Sequence, residues 1–128
     1  MIKHYDIPVN PNTKPRMTKR DKWKHRPCVD QYYGFKDQIK LHANLLGLQT
    51  LPDSIESLIF VIQMPESWSE VKKMKHDRMP HKQKPDCDNF LKALMDSLCK
   101  EDKSIWHFGL LEKRWGRTGK ILLTLDDT

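Results

Sequence analysis

Glycine is scarce, five in 128 residues and never in a run, so the chain has no glycine-rich loop of the kind that cradles a nucleotide phosphate. Cysteine is also sparse. Cys28, Cys87 and Cys99 are odd in number and show no C-x-x-C spacing, which argues against a disulfide framework and a zinc ribbon and for a reducing cytoplasm. No apolar stretch approaches the roughly 20 residues of a membrane helix, so no membrane association is expected. The opening Met1-Ile2-Lys3-His4-Tyr5 lacks the apolar core of a secretion signal. No Ser/His/Asp or Cys/His set has supporting local context, and His76, His81 and His107 read as surface or loop residues rather than catalysts.

What the chain has in excess is positive charge. Lysine and arginine total 23 against 17 acids, a net charge of +6. The excess is clustered. Residues 1–30 carry eight basic residues against Asp6, Asp21 and Asp30, and residues 72–84 carry six against Asp77 alone. Clustered cations attract polyphosphates and release counterions on binding them. A solvated, solubilising surface is the plainer alternative. The candidate phosphate-contacting residues are Lys14, Arg16, Lys19, Arg20 and Lys22 in the first cluster, and Lys72, Lys73, Lys75, Lys82 and Lys84 in the second. Trp23, Trp68, Trp106 and Trp115 can stack on bases, although core packing is expected for at least two of them.

The chain length fits one domain, residues 1–128, long enough to build a core without staples. Ile2 to Val9 reads as a first strand. The prolines at 8, 11 and 15 exclude a helix after it, and residues 14–26 read as a basic arm. Pro27 opens a helical pattern, Tyr32, Phe35, Ile39, Ala43 and Leu46, with Gly47 suited to end it. Residues 55–64 are rich in β-branched side chains and predict a central strand, and residues 66–77 predict a short helix. Residues 78–87 read as a loop. A second clear helix runs from a cap at Asp88 or Asn89 to about Cys99, with Phe90, Leu91, Leu94, Met95 and Leu98 on one face. The tail reads as a hairpin of residues 104–113 and 119–125 turning at Gly116 and Gly119. This order predicts an α+β, two-layer fold, a sheet with helices packed on it.

The stretch with chemistry is Lys84-Pro85-Asp86-Cys87-Asp88-Asn89, followed by Lys92 and Asp96. Asp86 and Asp88 can point to one side of an extended segment and form a hard-oxygen site suited to Mg²⁺ or Mn²⁺. Lys92 would face back toward them and contact a phosphate, and Glu101-Asp102 can complete the metal shell. The competing readings are a helix cap for the D-x-D and an exposed i, i+4 ion pair for Lys92 and Asp96. An EF-hand is excluded, because its sixth and twelfth positions counted from Asp86 are Leu91 and Ser97 rather than glycine and glutamate. Cys87 is expected to point into the core.

The run from Pro85 to Leu98 resembles the P-D-x-D-N-x-x-K-x-x-x-D-x-L signature of RusA-type Holliday junction resolvases, small phage and prophage endonucleases. Glu101-Asp102-Lys103-Ser104-Ile105-Trp106 is similar to the family's later acidic element, and Glu112-Lys113-Arg114-Trp115-Gly116 to its basic-aromatic stretch. The resemblance implies a homodimer with a mixed sheet, and a Mg²⁺-dependent site in which Asp86, Asp88 and Asp102 hold metal and Lys92 assists. Asp96 matches a helical acid of less defined role. The acidic pair begins with glutamate and follows a shortened segment, so the third ligand lies between Asp102 and Glu101. The implied reaction is resolution of four-way DNA by paired symmetric nicks, leaving a 5′-phosphate and a 3′-hydroxyl. Two alternatives are a branched-DNA-binding protein of the same fold with weak or no turnover, and a Mg²⁺ nuclease of broader branched substrates.

Overall fold

In the computed structural model the described residues are 1–16, 26–48, 51–99 and 104–126. The elements in chain order are β1 (Ile2–Ile7), α1 (Pro27–Leu45), β2 (Ser54–Gln63), α2 (Glu70–His76), α3 (Cys87–Leu98), β3 (His107–Gly116) and β4 (Lys120–Asp126). The architecture is α+β, as expected. One four-stranded mixed sheet has the order β1-β4-β2-β3, with β2 parallel to β3 and antiparallel to β4, and β4 antiparallel to β1.

Each element follows from local chemistry. In α1, Pro27 occupies the first turn, where its missing N–H costs nothing. Val29, Tyr32, Phe35, Ile39 and Ala43 recur at helical spacing and are buried. Gly47, at φ 76°, ends the helix: its N–H bonds Asn44 O at 3.2 Å and the Leu48 N–H bonds Ala43 O at 2.8 Å. The buried apolar contact at this end is Leu48 rather than the expected Leu46, which is exposed because it occupies the C-cap. In β4, Ile121, Leu123 and Leu125 are buried and alternate with half-buried neighbours, the period of a strand with one face in the core. Those three join Leu58 and Phe60 of β2, Ile7 of β1, and Phe35, Ile39, Phe90, Leu94 and Met95 of the two helices in one hydrophobic cluster.

The tail is not the hairpin its spacing predicts. β3 and β4 flank β2 on opposite sides. A three-residue link can reach about 14 Å, enough to cross the ~10 Å between next-nearest strands. A link of this length therefore does not by itself select a hairpin. β2 takes the middle position because both its faces are apolar: Leu58, Phe60 and Val61 are all buried. The predicted loop 78–87 also differs in its first half. Arg78 N bonds Trp115 O, Trp115 N bonds Met79 O, and His81 N bonds Lys113 O, each at 2.9–3.0 Å, so residues 78–81 pair along the outer edge of β3.

The link after β3 is packed against the N-terminal segment. A Cβ at Gly119 would stand 2.6 Å from Asn10 Cα, closer than real side chains approach. Gly119→Ala is therefore expected to cost about 1–3 kcal/mol, seen as a lower urea midpoint with an unchanged m-value.

Candidate active site

The Asp86 carboxylate is held ahead of α3 by two anchors. The apolar face of α3 docks on the sheet through Phe90, whose ring stacks on Phe60 with centroids 5.5 Å apart, and through Leu94 and Met95. The loop before the helix is tied to β3. The Lys113 ammonium donates to Pro85 O at 2.8 Å and also to Gln83 O. Lys113 belongs to the basic-aromatic stretch visible in the sequence, but its role in holding this loop needs the fold to be seen.

Asp86, not Asp88 or Asn89, is the N-cap residue of α3, with extended backbone at ψ 157°. Its side chain makes no capping hydrogen bond. The capping explanation of the D-x-D therefore does not hold, and among the described residues the Asp86 carboxylate has no hydrogen-bond or ion-pair partner. Asp88 lies in the first turn, where the helix dipole favours an acid. Its Oδ2 is 3.9 Å from Lys92 Nζ, with both side chains about two-thirds exposed. Asp86, Asp88 and Lys92 thus stand together on the exposed start of one helix. Glu101 and Asp102 lie outside the described residues, and among those described no three His, Cys, Asp or Glu side chains gather as a metal cage. Two exposed carboxylates, one without a protein partner, suit a hard cation.

Cys87, between the two aspartates, is half-buried rather than in the core. It lines a cleft at the outer edge of β3 with Pro80, Glu112, Lys113 and Arg114.

Asp96 does not pair with Lys92. Its Oδ2 accepts the Tyr32 hydroxyl at 2.8 Å and lies 3.0 Å from Lys14 Nζ. Partial burial pushes the Asp96 pKa up, but the hydrogen bonds from Lys14 and Tyr32 and the charges of Lys14 and Lys36 outweigh it and hold the carboxyl below its ordinary value. Burial, then the bond to Asp96, keeps the Tyr32 phenol protonated. Asp96 therefore ties the start of the basic arm and α1 to α3. The signal was a tyrosine on the buried stripe of α1, a position that needs an acceptor for its hydroxyl.

The basic residues are only partly gathered. Lys14 is engaged by Asp96, and Lys72 lies over the Trp68 ring at 4.2 Å. Arg16, Lys75, Lys82 and Lys84 are exposed and Lys73 is half-buried, with Lys82 and Lys84 in the loop leading to Asp86. Lys19, Arg20 and Lys22 lie outside the described residues, as does Trp23. Trp68 and Trp115 pack together at 4.8 Å, whereas Trp106 is 74% exposed.

The family model of the endodeoxyribonuclease RusA matches residues 6–124. The chain belongs to the RusA family. That span takes in every strand and helix described above except residues 2–5 of β1 and the last two residues of β4. No curated protein matches the chain. Membership indicates an endodeoxyribonuclease, and it places the Asp86–Lys92 turn within the matched span.

In this RusA-family chain His81 departs from the surface role expected of it. It is 4% exposed, its ring packs tilted against Trp115 with centroids 4.2 Å apart, and its Nδ1 has no partner among the described residues. Burial, then the charge of Lys113, lowers its pKa from the ordinary 6.5.

Two predictions follow from these contacts. Tyr32→Phe leaves Asp96 with one partner fewer and should cost about 1 kcal/mol, discounted for partial exposure, in urea unfolding. The unfolded chain protonates His81 before the folded one does, so stability should fall as pH drops below about 6.5. His81→Phe, which keeps an aromatic ring against Trp115, should flatten that fall in thermal unfolding between about pH 7 and pH 5.

Proposed function

We propose that the protein is a Mg²⁺-dependent, structure-specific endodeoxyribonuclease that resolves Holliday junctions by paired symmetric nicking in a reducing cytoplasm. The observation that carries this reading is the Asp86 carboxylate, which stands at a helix cap without capping and beside Asp88 and Lys92, in a chain of an endodeoxyribonuclease family.

Asp86 and Asp88 would hold Mg²⁺, or Mn²⁺, with Asp102 or Glu101 as a third oxygen donor. The bound ion supplies Lewis-acid polarisation of a phosphate and a more acidic water. The chain's own residues do the rest. Lys92, kept near the carboxylates by Asp88, places an ammonium where charge builds on the scissile phosphate. Lys113 keeps the loop of Asp86 in register with the sheet, so the first carboxylate does not drift from the second. Exposure of the helix start leaves the site open to a duplex. Two matching strands of a four-way junction need two matching sites, which a C2 homodimer supplies. Arg16, Lys19, Arg20, Lys22, Lys82 and Lys84 would contact backbone phosphates and read shape rather than sequence.

The test is cleavage of a labelled synthetic four-way junction in Mg²⁺, beside linear duplex. Wild-type protein should give paired symmetric nicks that need Mg²⁺. Asp86→Asn should abolish them while junction binding persists or tightens, because a negative charge beside phosphates is removed. A fully active Asp86→Asn would overturn the site. Tight junction binding with no cutting in either Mg²⁺ or Mn²⁺ would leave the branched-DNA-binding alternative.

A further inference from the structure

On the sheet face opposite α1 and α3 lies a cleft of about 590 Å³ that no reading so far uses. Arg78, Arg114, Arg117 and Lys120 line it, with Trp115 and a single carboxylate, Asp77.

Arg78 occupies an unfavourable backbone position. Asp77 at φ −57°, ψ 125°, Arg78 at φ 67°, and a 2.9 Å bond from Met79 N to His76 O make a type II turn. Its third residue is where glycine or asparagine is favoured, because a Cβ is strained there. The fold makes no use of the arginine side chain. The Arg78 carbonyl accepts Arg114 Nη1 at 2.7 Å, a bond any residue could offer, and the Arg78 guanidinium has no hydrogen bond or ion pair among the described residues. A strained backbone that carries an unpartnered cation points to a ligand for that cation.

The other arginines are oriented in advance. Glu112 holds Arg114 Nε at 2.6 Å, and Glu70 holds Arg117 Nη2 at 2.6 Å. Neither glutamate lines the cleft; Arg114 also gives Nη1 to the Arg78 carbonyl, and the N–H groups left on each guanidinium are available to an oxyanion. The Lys120 side chain, like that of Arg78, has no hydrogen bond or ion pair among the described residues.

The cleft shares a residue with a smaller one beside the candidate active site. Arg114 borders both this cleft and the smaller one that holds Cys87, which sits between Asp86 and Asp88. The two clefts thus meet at Arg114 on β3, the smaller one lined by Pro80 and Cys87 and the larger by Arg78. A ligand with phosphates repeated along a chain would reach both.

We propose that Arg78, Arg114, Arg117 and Lys120 form a second phosphate-binding site, which holds the DNA backbone beyond the strand segment engaged at Asp86 and Asp88. This rests on the reading of the protein as a DNA endonuclease.

The experiment measures binding of a labelled four-way junction and a linear duplex by anisotropy, without divalent metal so that nothing is cut, over a range of salt. Thermal unfolding is recorded for each variant. Arg78→Asn should leave the Tm unchanged or higher, because asparagine tolerates the turn. It should also weaken binding roughly 5- to 10-fold at 0.1 M salt and lower the slope of log K against log salt by about 0.9. Lys120→Gln should weaken binding in the same direction. Wild-type affinity and slope in a folded Arg78→Asn would overturn the cleft, and so would a clear drop in its Tm, which would give the side chain a role in the fold. Wild-type protein that cuts junctions while Arg78→Asn binds normally removes the cleft alone. Wild-type protein that binds neither DNA removes the endonuclease reading and the cleft together.

Discussion

Burial of one side of α3 against β2 decides where the candidate catalytic groups stand. Phe90, Leu94 and Met95 must leave water, and Phe60 and Leu58 of the sheet are the surface that receives them. With that face committed, a helix of 3.6 residues per turn turns Asp88 and Lys92 outward together. Asp86 sits one residue ahead of the helix, where the backbone is extended. Its carboxylate is left without a structural task because the Lys113 side chain, not a cap, holds the preceding loop.

The same packing divides the charges into structural and unspent. Asp96 is occupied by Tyr32 and Lys14, while Arg114 and Arg117 are each held at one edge by Glu112 and Glu70. Pairs this exposed add little stability. Their effect is orientation, because each holds a long side chain in one direction. Among the described residues, Asp86, Arg78 and Lys120 are charged groups that the fold positions without a side-chain partner, and Arg78 and Lys120 share the cleft that Arg114 of β3 borders. A protein that must hold a polyanion against carboxylates needs cations near them that no carboxylate neutralises first.

Much of this was legible in the residues. The apolar stripes of α1 and α3, the apolar run of β2 and the alternation in β4 each carry their period openly, and both helices and all four strands lie within a few residues of where those periods put them. The D-x-D with Lys92 was legible as well, since its spacing is local. The partner of Asp96 was not. An i, i+4 lysine suggests a pair along the helix, yet a tyrosine and a lysine far away in sequence supply the contacts. Strand order was misread at the tail, because two glycines and a short link fit a hairpin and a one-strand crossing equally well.

By itself the sequence determined the elements, the cluster of Asp86, Asp88 and Lys92, and the family to which the chain belongs, because each depends on residues close together in the chain. Tertiary structure alone decided three things: that β2 separates β3 from β4, that Lys113 rather than a cap holds the Asp86 loop, and that Arg78 meets Arg114, Arg117 and Lys120 in one cleft. Each joins side chains from separate elements, and only the packing of a shared core brings such residues within reach of one another.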